Sequence, residues 1–221
     1  MSLTMPPSVP PAATAFAGSS VVLPDCGNIE AVKSVALGCV ACKLNETRQH
    51  VVFSDGNPQA GLMFIGEGPG AQEDETGIPF VGRAGQLLTK IIESVGLRRQ
   101  QDTYICNVVK CRPPGNRVPT DVEMQQCYPY LHAQIHVLKP RIIVLVGATA
   151  LRGVLGNRSP ISKVRGQWLE TPFPAPNGGT AKAMAIFHPS YLLRNPSPNE
   201  GTPKWLTWQD IQAIKRCYDE D

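Results

Sequence analysis

The apolar run Gly61-Leu62-Met63-Phe64-Ile65 leads directly into Gly66-Glu67-Gly68-Pro69-Gly70-Ala71-Gln72-Glu73-Asp74, and residues 84–95 then show helical apolar spacing. This order narrows the possible folds sharply. A short buried strand, a glycine-rich loop and a helix form the opening of an α/β unit. In open α/β sheets, ligands bind outside the carboxyl ends of the strands, where such a loop lies. Glycines allow the backbone to approach a ligand closely. The acids Glu67, Glu73 and Asp74 argue against a phosphate cradle, which uses lysine and bare backbone N–H groups. The loop suits a neutral ligand, or one that develops positive charge beside carboxylates.

The pattern then repeats. Residues 103–109 form a second strand, which leads into the polar, proline-rich stretch 110–119. Thr120 caps a helix that runs to about Leu138, with Glu123 at the capping-box position. The third strand, 141–147, is apolar after its opening Arg141, as suits a strand buried on both faces. Residues 148–155 make a short helix, 183–187 a fourth strand that ends at His188, and 205–217 a closing helix. Upstream, 28–38 is a short helix with Asn28 as its N-cap and a terminal glycine. Residues 50–54 and 162–169 are candidate edge elements. Right-handed crossovers then give an α/β fold: a three-layer αβα sandwich around a central four-stranded parallel sheet. The polar stretches after strands one, two and four gather at one end of the sheet, which places Glu67, Phe80, Asn107 and His188 around one cleft.

A chain of 221 residues fits one domain and can bury a substantial core without disulfides. Residues 1–24, rich in Pro, Ala and Ser, are expected to form a mobile tail, with the folded domain over 25–221. The net charge of +3 permits nucleic-acid binding without requiring it. No apolar run reaches membrane-spanning length, and no signal peptide is visible. Seven cysteines, an odd number, suit a reduced cytoplasmic protein with a metal or cluster site better than a disulfide framework. Cys39 and Cys42 are spaced C-x2-C at a helix end. Cys111 and Cys127 sit at a loop start and in the following helix, where they can meet the first pair. Four thiolates can hold either tetrahedral zinc or a four-iron cluster. Scattered core cysteines are the plain alternative. Cys26, Cys106 and Cys217 are left over, with Cys106 a buried strand thiol.

Four motifs together resemble the family 4 uracil-DNA glycosylases. They are Gly66-Glu-Gly-Pro-Gly70; Gly77-Ile-Pro-Phe80-Val-Gly82-Arg-Ala-Gly85-Gln-Leu-Leu; Asn107-Val-Val-Lys-Cys111-Arg-Pro-Pro-Gly-Asn116-Arg; and His188-Pro-Ser-Tyr-Leu-Leu-Arg194. The resemblance covers roughly residues 28–217. It implies that Cys39, Cys42, Cys111 and Cys127 hold a structural [4Fe-4S] cluster rather than zinc. It further implies a monomer that acts on uracil-containing DNA, single- or double-stranded, in the cytoplasm beside the nucleoid. A relative that bonds covalently to such DNA carries a basic insertion with a nucleophilic histidine. Residues 112–117 here read Arg-Pro-Pro-Gly-Asn-Arg and contain no histidine, and Gly68 stands where that relative has Gln. Both departures favour ordinary hydrolysis.

The chemistry of the residues agrees with this resemblance. Cutting the uracil–deoxyribose bond needs a flipped base, a stabilised leaving anion and support for an oxocarbenium-like sugar. The Asn107 amide can match uracil O4 and N3–H. Phe80 would stack on the base, and Gly68 and Pro69 would form a pocket wall. His188 could donate to O2 as negative charge grows there. Glu67 could position water and stabilise the cation. Glu73 or Asp74 is a candidate for crowding C5 and so excluding thymine. Tyr191, Leu192 and Leu193 resemble a wedge that fills the hole left by the base. Arg112, Arg117, Arg194, Lys163 and Arg165 are candidate phosphate contacts. Each has an ordinary reading too: a strand-end cap for Asn107, core packing for Phe80 and the leucines, solvated charges for the rest. The other functional classes are an iron–sulfur electron carrier and a nucleic-acid-binding module without turnover. A carrier needs no Phe/Asn/His cleft and usually spaces its cluster cysteines closely.

Overall fold

The computed structural model describes residues 27–220, together with Ser19, Val21 and Leu23. Most of the expected tail, and Cys26, lie outside the described residues. Val21 and Leu23 pack against the main core, and the Ser19 hydroxyl donates to the Gln126 carbonyl at 3.4 Å.

Six strands form one mixed sheet: β1 (Asp55–Gly56), β2 (Leu62–Gly66), β3 (Tyr104–Asn107), β4 (Ile142–Val146), β5 (Trp168–Pro174) and β6 (Thr180–Ile186). Their spatial order is β1-β3-β2-β4-β6-β5. The four central strands are parallel, as the sequence implies, and an antiparallel strand flanks each edge. These edges correct the two edge expectations. Residues 50–54 are not a strand, although Val52 N–H donates to the Lys110 carbonyl at 2.8 Å; the edge strand is the next pair of residues, 55–56. Within 162–169 the chain first makes a helical turn, Ile161–Val164, and strand pairing begins only at Trp168.

The helices are α1 (Ile29–Leu37), α2 (Ala71–Thr76), α3 (Arg83–Glu93), α4 (Arg99–Asp102), α5 (Asp121–Leu138), α6 (Ala148–Leu155), α7 (Ile161–Val164), α8 (Pro189–Arg194) and α9 (Pro203–Glu220). Local signals set their starts. The Asn28 side chain accepts from Ala31 N–H at 2.9 Å. Thr120 and Glu123 form the reciprocal capping box that opens α5. Helix α2 lies inside the stretch that reads as one continuous glycine loop; it is a turn and a half, too short to show apolar periodicity.

Alternation along the strands separates two cores. Met63, Ile65, Tyr104, Cys106, Ile143, Leu145, Ala183 and Ala185 face α1, α5 and α6. Leu62, Phe64, Ile105, Ile142, Val144, Val146, Met184 and Ile186 face α3 and α9. These are the outer layers of the sandwich. No described helix is long and apolar enough to cross a membrane.

Phe64 is fully buried at the centre of the second core. Phe64→Ala is expected to cost roughly 3–5 kcal/mol, because a truncated core aromatic leaves a cavity as well as losing its burial. Urea denaturation followed by circular dichroism measures the loss.

Candidate active site

The carboxyl ends of the central strands carry most of the candidate groups. Glu67 is the first residue after β2, Asn107 is the last of β3, and His188 lies two residues beyond β6. With Phe80 they line one cleft of about 400 Å³, together with Gly68, Pro69, Gly70, Glu73, Arg117 and Arg194. The cleft sits where β3 and β4 flank β2 on opposite sides, the point where an open α/β sheet forms its ligand crevice.

Two glycines let the cleft close tightly. A Cβ on Gly66 would lie 2.4 Å from the Phe80 ring and 2.5 Å from Asn107 Oδ1. A Cβ on Gly85 would lie 2.0 Å from the Phe80 carbonyl carbon and oxygen. Phe80 itself has φ 54°, a left-handed conformation that costs a non-glycine residue of order 1–3 kcal/mol. Its ring lies 6.1 Å from the His188 ring.

Asn107 is 1% exposed, and its Oδ1 has no hydrogen-bond partner. A buried acceptor without a donor is costly unless something else fills it. In His188, Nδ1 accepts from Ser190 N–H at 3.1 Å and lies 2.8 Å from Ser190 Oγ. Because Nδ1 accepts, the proton of the neutral ring belongs on Nε2. Burial, reinforced by the positive charge of Arg194 and opposed by Glu73, lowers the His188 pKa to about 4. The ring is therefore a neutral donor at physiological pH. Glu67 Oε2 accepts from Thr149 Oγ1 at 2.5 Å. Thr149 and Ser190 escaped the sequence reading. Each is the polar residue that follows a strand end by a few positions, which is the signal that could have found them.

Other candidates are committed elsewhere. Glu73 lines the cleft, but its carboxylate accepts from Gly70, Val81 and Gly82 N–H at 3.1, 2.9 and 2.8 Å, tying both ends of the loop together. Asp74 points away, accepting from Gln49 N–H at 2.9 Å. Leu192 is 1% exposed and belongs to the packing under α8, which corrects its place in the wedge; Tyr191 and Leu193 remain exposed. Arg165 is paired with buried Asp210, not free for phosphate. Arg117 pairs with Glu123 at 2.7 Å on the cleft rim, and Arg112 donates to Asn116 Oδ1 at 2.7 Å.

Cys39, Cys42, Cys111 and Cys127 line a second pocket, on the α1/α5 side of the sheet. Among the described residues, no group of three or more His, Cys, Asp or Glu side chains is placed to hold a single metal ion. The pocket nonetheless offers N–H donors to sulfur. Arg48 donates to Cys111 Sγ and Lys110 N–H to Cys127 Sγ, both at 3.3 Å. Burial raises the pKa of Cys42 and Cys111, and pushes that of Cys127 up to about 12, so binding a metal at these three thiols would release protons.

The sheet order, and a strand-end cleft lined by buried Phe80 and Asn107 and half-buried His188, define an α/β enzyme fold with a candidate active site. Comparison with known proteins agrees with that definition. Residues 53–212 match the model of the uracil DNA glycosylase superfamily, and the chain belongs to it. A type-4 uracil-DNA glycosylase of Thermotoga maritima is 49% identical over 191 residues, which are 85% of this chain and 93% of that one. A type-4 enzyme of Pyrobaculum aerophilum is 40% identical over 77% of this chain and 87% of its own. The type-5 uracil-DNA glycosylase of the same organism is 33% identical over only 45% of this chain and 50% of its own. Within the superfamily, the chain is a member of the type-4 group.

The lowered His188 pKa sets an expected pH profile. Catalysis that depends on neutral His188 should show no inflection near pH 6.5, the ordinary histidine value, and should fall only as pH approaches about 4. Between those values the unfolded chain binds the extra proton, so this histidine's contribution also lowers stability as pH falls from about 6.5 towards 4. Single-turnover rates and thermal unfolding, each measured from pH 3.5 to 8, check both limbs.

Proposed function

We propose that this chain hydrolyses the N-glycosidic bond of uracil in DNA, releasing the base and leaving an abasic site that starts base excision repair. The observation that carries the reading is the unpartnered Oδ1 of Asn107, buried beside the Phe80 ring edge at the cleft. An imide N3–H is a donor that such an acceptor lacks, and the amide's N–H group suits O4. Phe80 stacks on the flipped base. Glu73, its carboxylate already committed, acts at the C5 edge as a fixed wall and not as a free acid.

The bond breaks with its electron pair moving to uracil, whose O2 becomes anionic. The Nε2–H of neutral His188 donates to that oxygen, an interaction that strengthens as the charge grows. Glu67, oriented by Thr149, stabilises the sugar cation and directs a water to C1′. The water's hydroxyl stays on the sugar, and its proton offsets the charge of the departed base. Tyr191 and Leu193 form the wedge, while Arg112, Arg117 and Arg194 meet phosphates around the cleft. The chain works as a monomer on single- or double-stranded DNA in the cytoplasm.

We also assign a [4Fe-4S] cluster to Cys39, Cys42, Cys111 and Cys127. Their shared pocket, the N–H donors to sulfur and the type-4 relatives support it. Bound there, the cluster would serve structure, since the four cysteines come from the turn after α1, the segment after β3 and helix α5.

A uracil-containing oligonucleotide tests the activity. The wild-type chain should release free uracil, and no release at all would defeat the reading. Asn107→Asp should weaken discrimination, because an ionised carboxylate only accepts, repelling O4 while tolerating the amino group of cytosine. Unchanged uracil release with no gain on cytosine would remove Asn107 from base reading. For the cluster, anaerobically purified protein should be brown with about four irons per chain. Cys111→Ala should lose iron and fold together, whereas stoichiometric zinc without iron would refute the assignment.

A further inference from the structure

Arg99, in α4, belongs to none of the motifs described above, yet its side chain is only 11% exposed and makes four hydrogen bonds besides an ion pair. Nη1 donates to the Phe80 carbonyl at 2.7 Å and to Thr89 Oγ1 at 2.9 Å. Nη2 donates to the Pro79 carbonyl at 2.6 Å and pairs with Asp55 Oδ2 at 2.9 Å. Nε donates to the same carboxylate oxygen at 3.0 Å. Asp55 neutralises the guanidinium, and burial keeps it from solvent, so Arg99 is not a phosphate contact.

The two carbonyls it gathers are consecutive. In extended backbone, consecutive carbonyls point to opposite sides, and one fork can hold both only where the chain turns. The turn is at Phe80, which has the left-handed φ of 54°. Such strain persists only where the surroundings over-determine it. Here Gly85 admits the Phe80 carbonyl from one side and Arg99 holds it from the other. Asp55, in edge strand β1, and Thr89, in α3, fix the guanidinium in turn.

We propose that Arg99 is a positioning residue for catalysis. By clamping the carbonyls of Pro79 and Phe80, it holds the Phe80 backbone in its strained conformation and so sets where the ring meets the base. The proposal rests on the reading of Phe80 as the stacking residue. It also explains the choice of arginine: lysine could keep the charge pair with Asp55 but has three donors on a point charge, not a planar fork of five.

A double-mutant cycle tests it, with Arg99→Met, Arg99→Lys, Phe80→Ala and Phe80→Ala combined with each Arg99 change, in the full-length chain with its metal content checked. The readouts are the single-turnover uracil-release rate, affinity for uracil-free DNA and thermal unfolding. Arg99→Met should slow release about 10- to 100-fold, the scale of loss from a misplaced contact, with affinity for uracil-free DNA unchanged. Arg99→Lys, chosen because it keeps the charge pair, should fold and lose most of the same rate. In the Phe80→Ala background, either Arg99 change should matter less than about threefold, because residues acting as a unit are not additive. Equal effects of the Arg99 changes in both backgrounds, or a wild-type rate in folded Arg99→Lys, would overturn the clamp. A wild-type rate in Phe80→Ala would instead overturn the stacking reading, and so separates the two failures.

Discussion

Strand β2 is buried along its whole length, on both faces, between two parallel neighbours. Polar side chains cannot stand inside such a strand without partners. Its chemistry therefore begins where the strand ends, at Gly66 and Glu67. Gly66 contributes by having no side chain, since the Phe80 ring and the Asn107 amide both occupy the space a Cβ would need. The geometry of the cleft depends on that close approach. Were β2 shifted by one residue, a bulkier neighbour would stand at this point and the opposite set of side chains would face each core.

The central strands and most helices were legible because burial on both faces writes continuous apolar runs, and capping writes Asn28 and the Thr120–Glu123 pair. The antiparallel edges were less legible. A two-residue strand such as Asp55–Gly56 has no period, and β5 alternates exposed and buried residues only after Trp168. The main site residues were readable from motif chemistry, since Glu67, Phe80, Asn107 and His188 do line one cleft. What supports them was not. Thr149 and Arg99 act through hydrogen bonds from elements 82 and 19 residues away from their partners, and Ser190 through a cap contact two residues on. Likewise, nothing in Tyr-Leu-Leu says that the middle residue turns inward; that follows from the helical twist of α8, which buries Leu192 and exposes its neighbours.

The sulfur pocket lies on the α1/α5 face of the sheet and the cleft at the carboxyl ends of its strands, yet they share a stretch of chain. Lys110, 2% exposed, donates through Nζ to the Asn107 carbonyl at 2.7 Å and to Gln134 Oε1 at 2.5 Å, while its backbone N–H meets Cys127 Sγ. Helix α5 carries Cys127 and Gln134 and, in its first turn, the Glu123 that grips Arg117 on the cleft rim. Residues 107–117 are thus anchored at both ends to α5. A structural group bound at the cysteines would stiffen this wall of the cleft without entering it.

Helix α8 is six residues, about 9 Å at 1.5 Å per residue. His188 caps its N-terminus through Nδ1, and Tyr191 and Leu193 project from the same short rod. On the proposed reading, the residues that enter the base stack and the imidazole that donates to the leaving base are therefore set by one short element, so a change that tilts α8 alters both together.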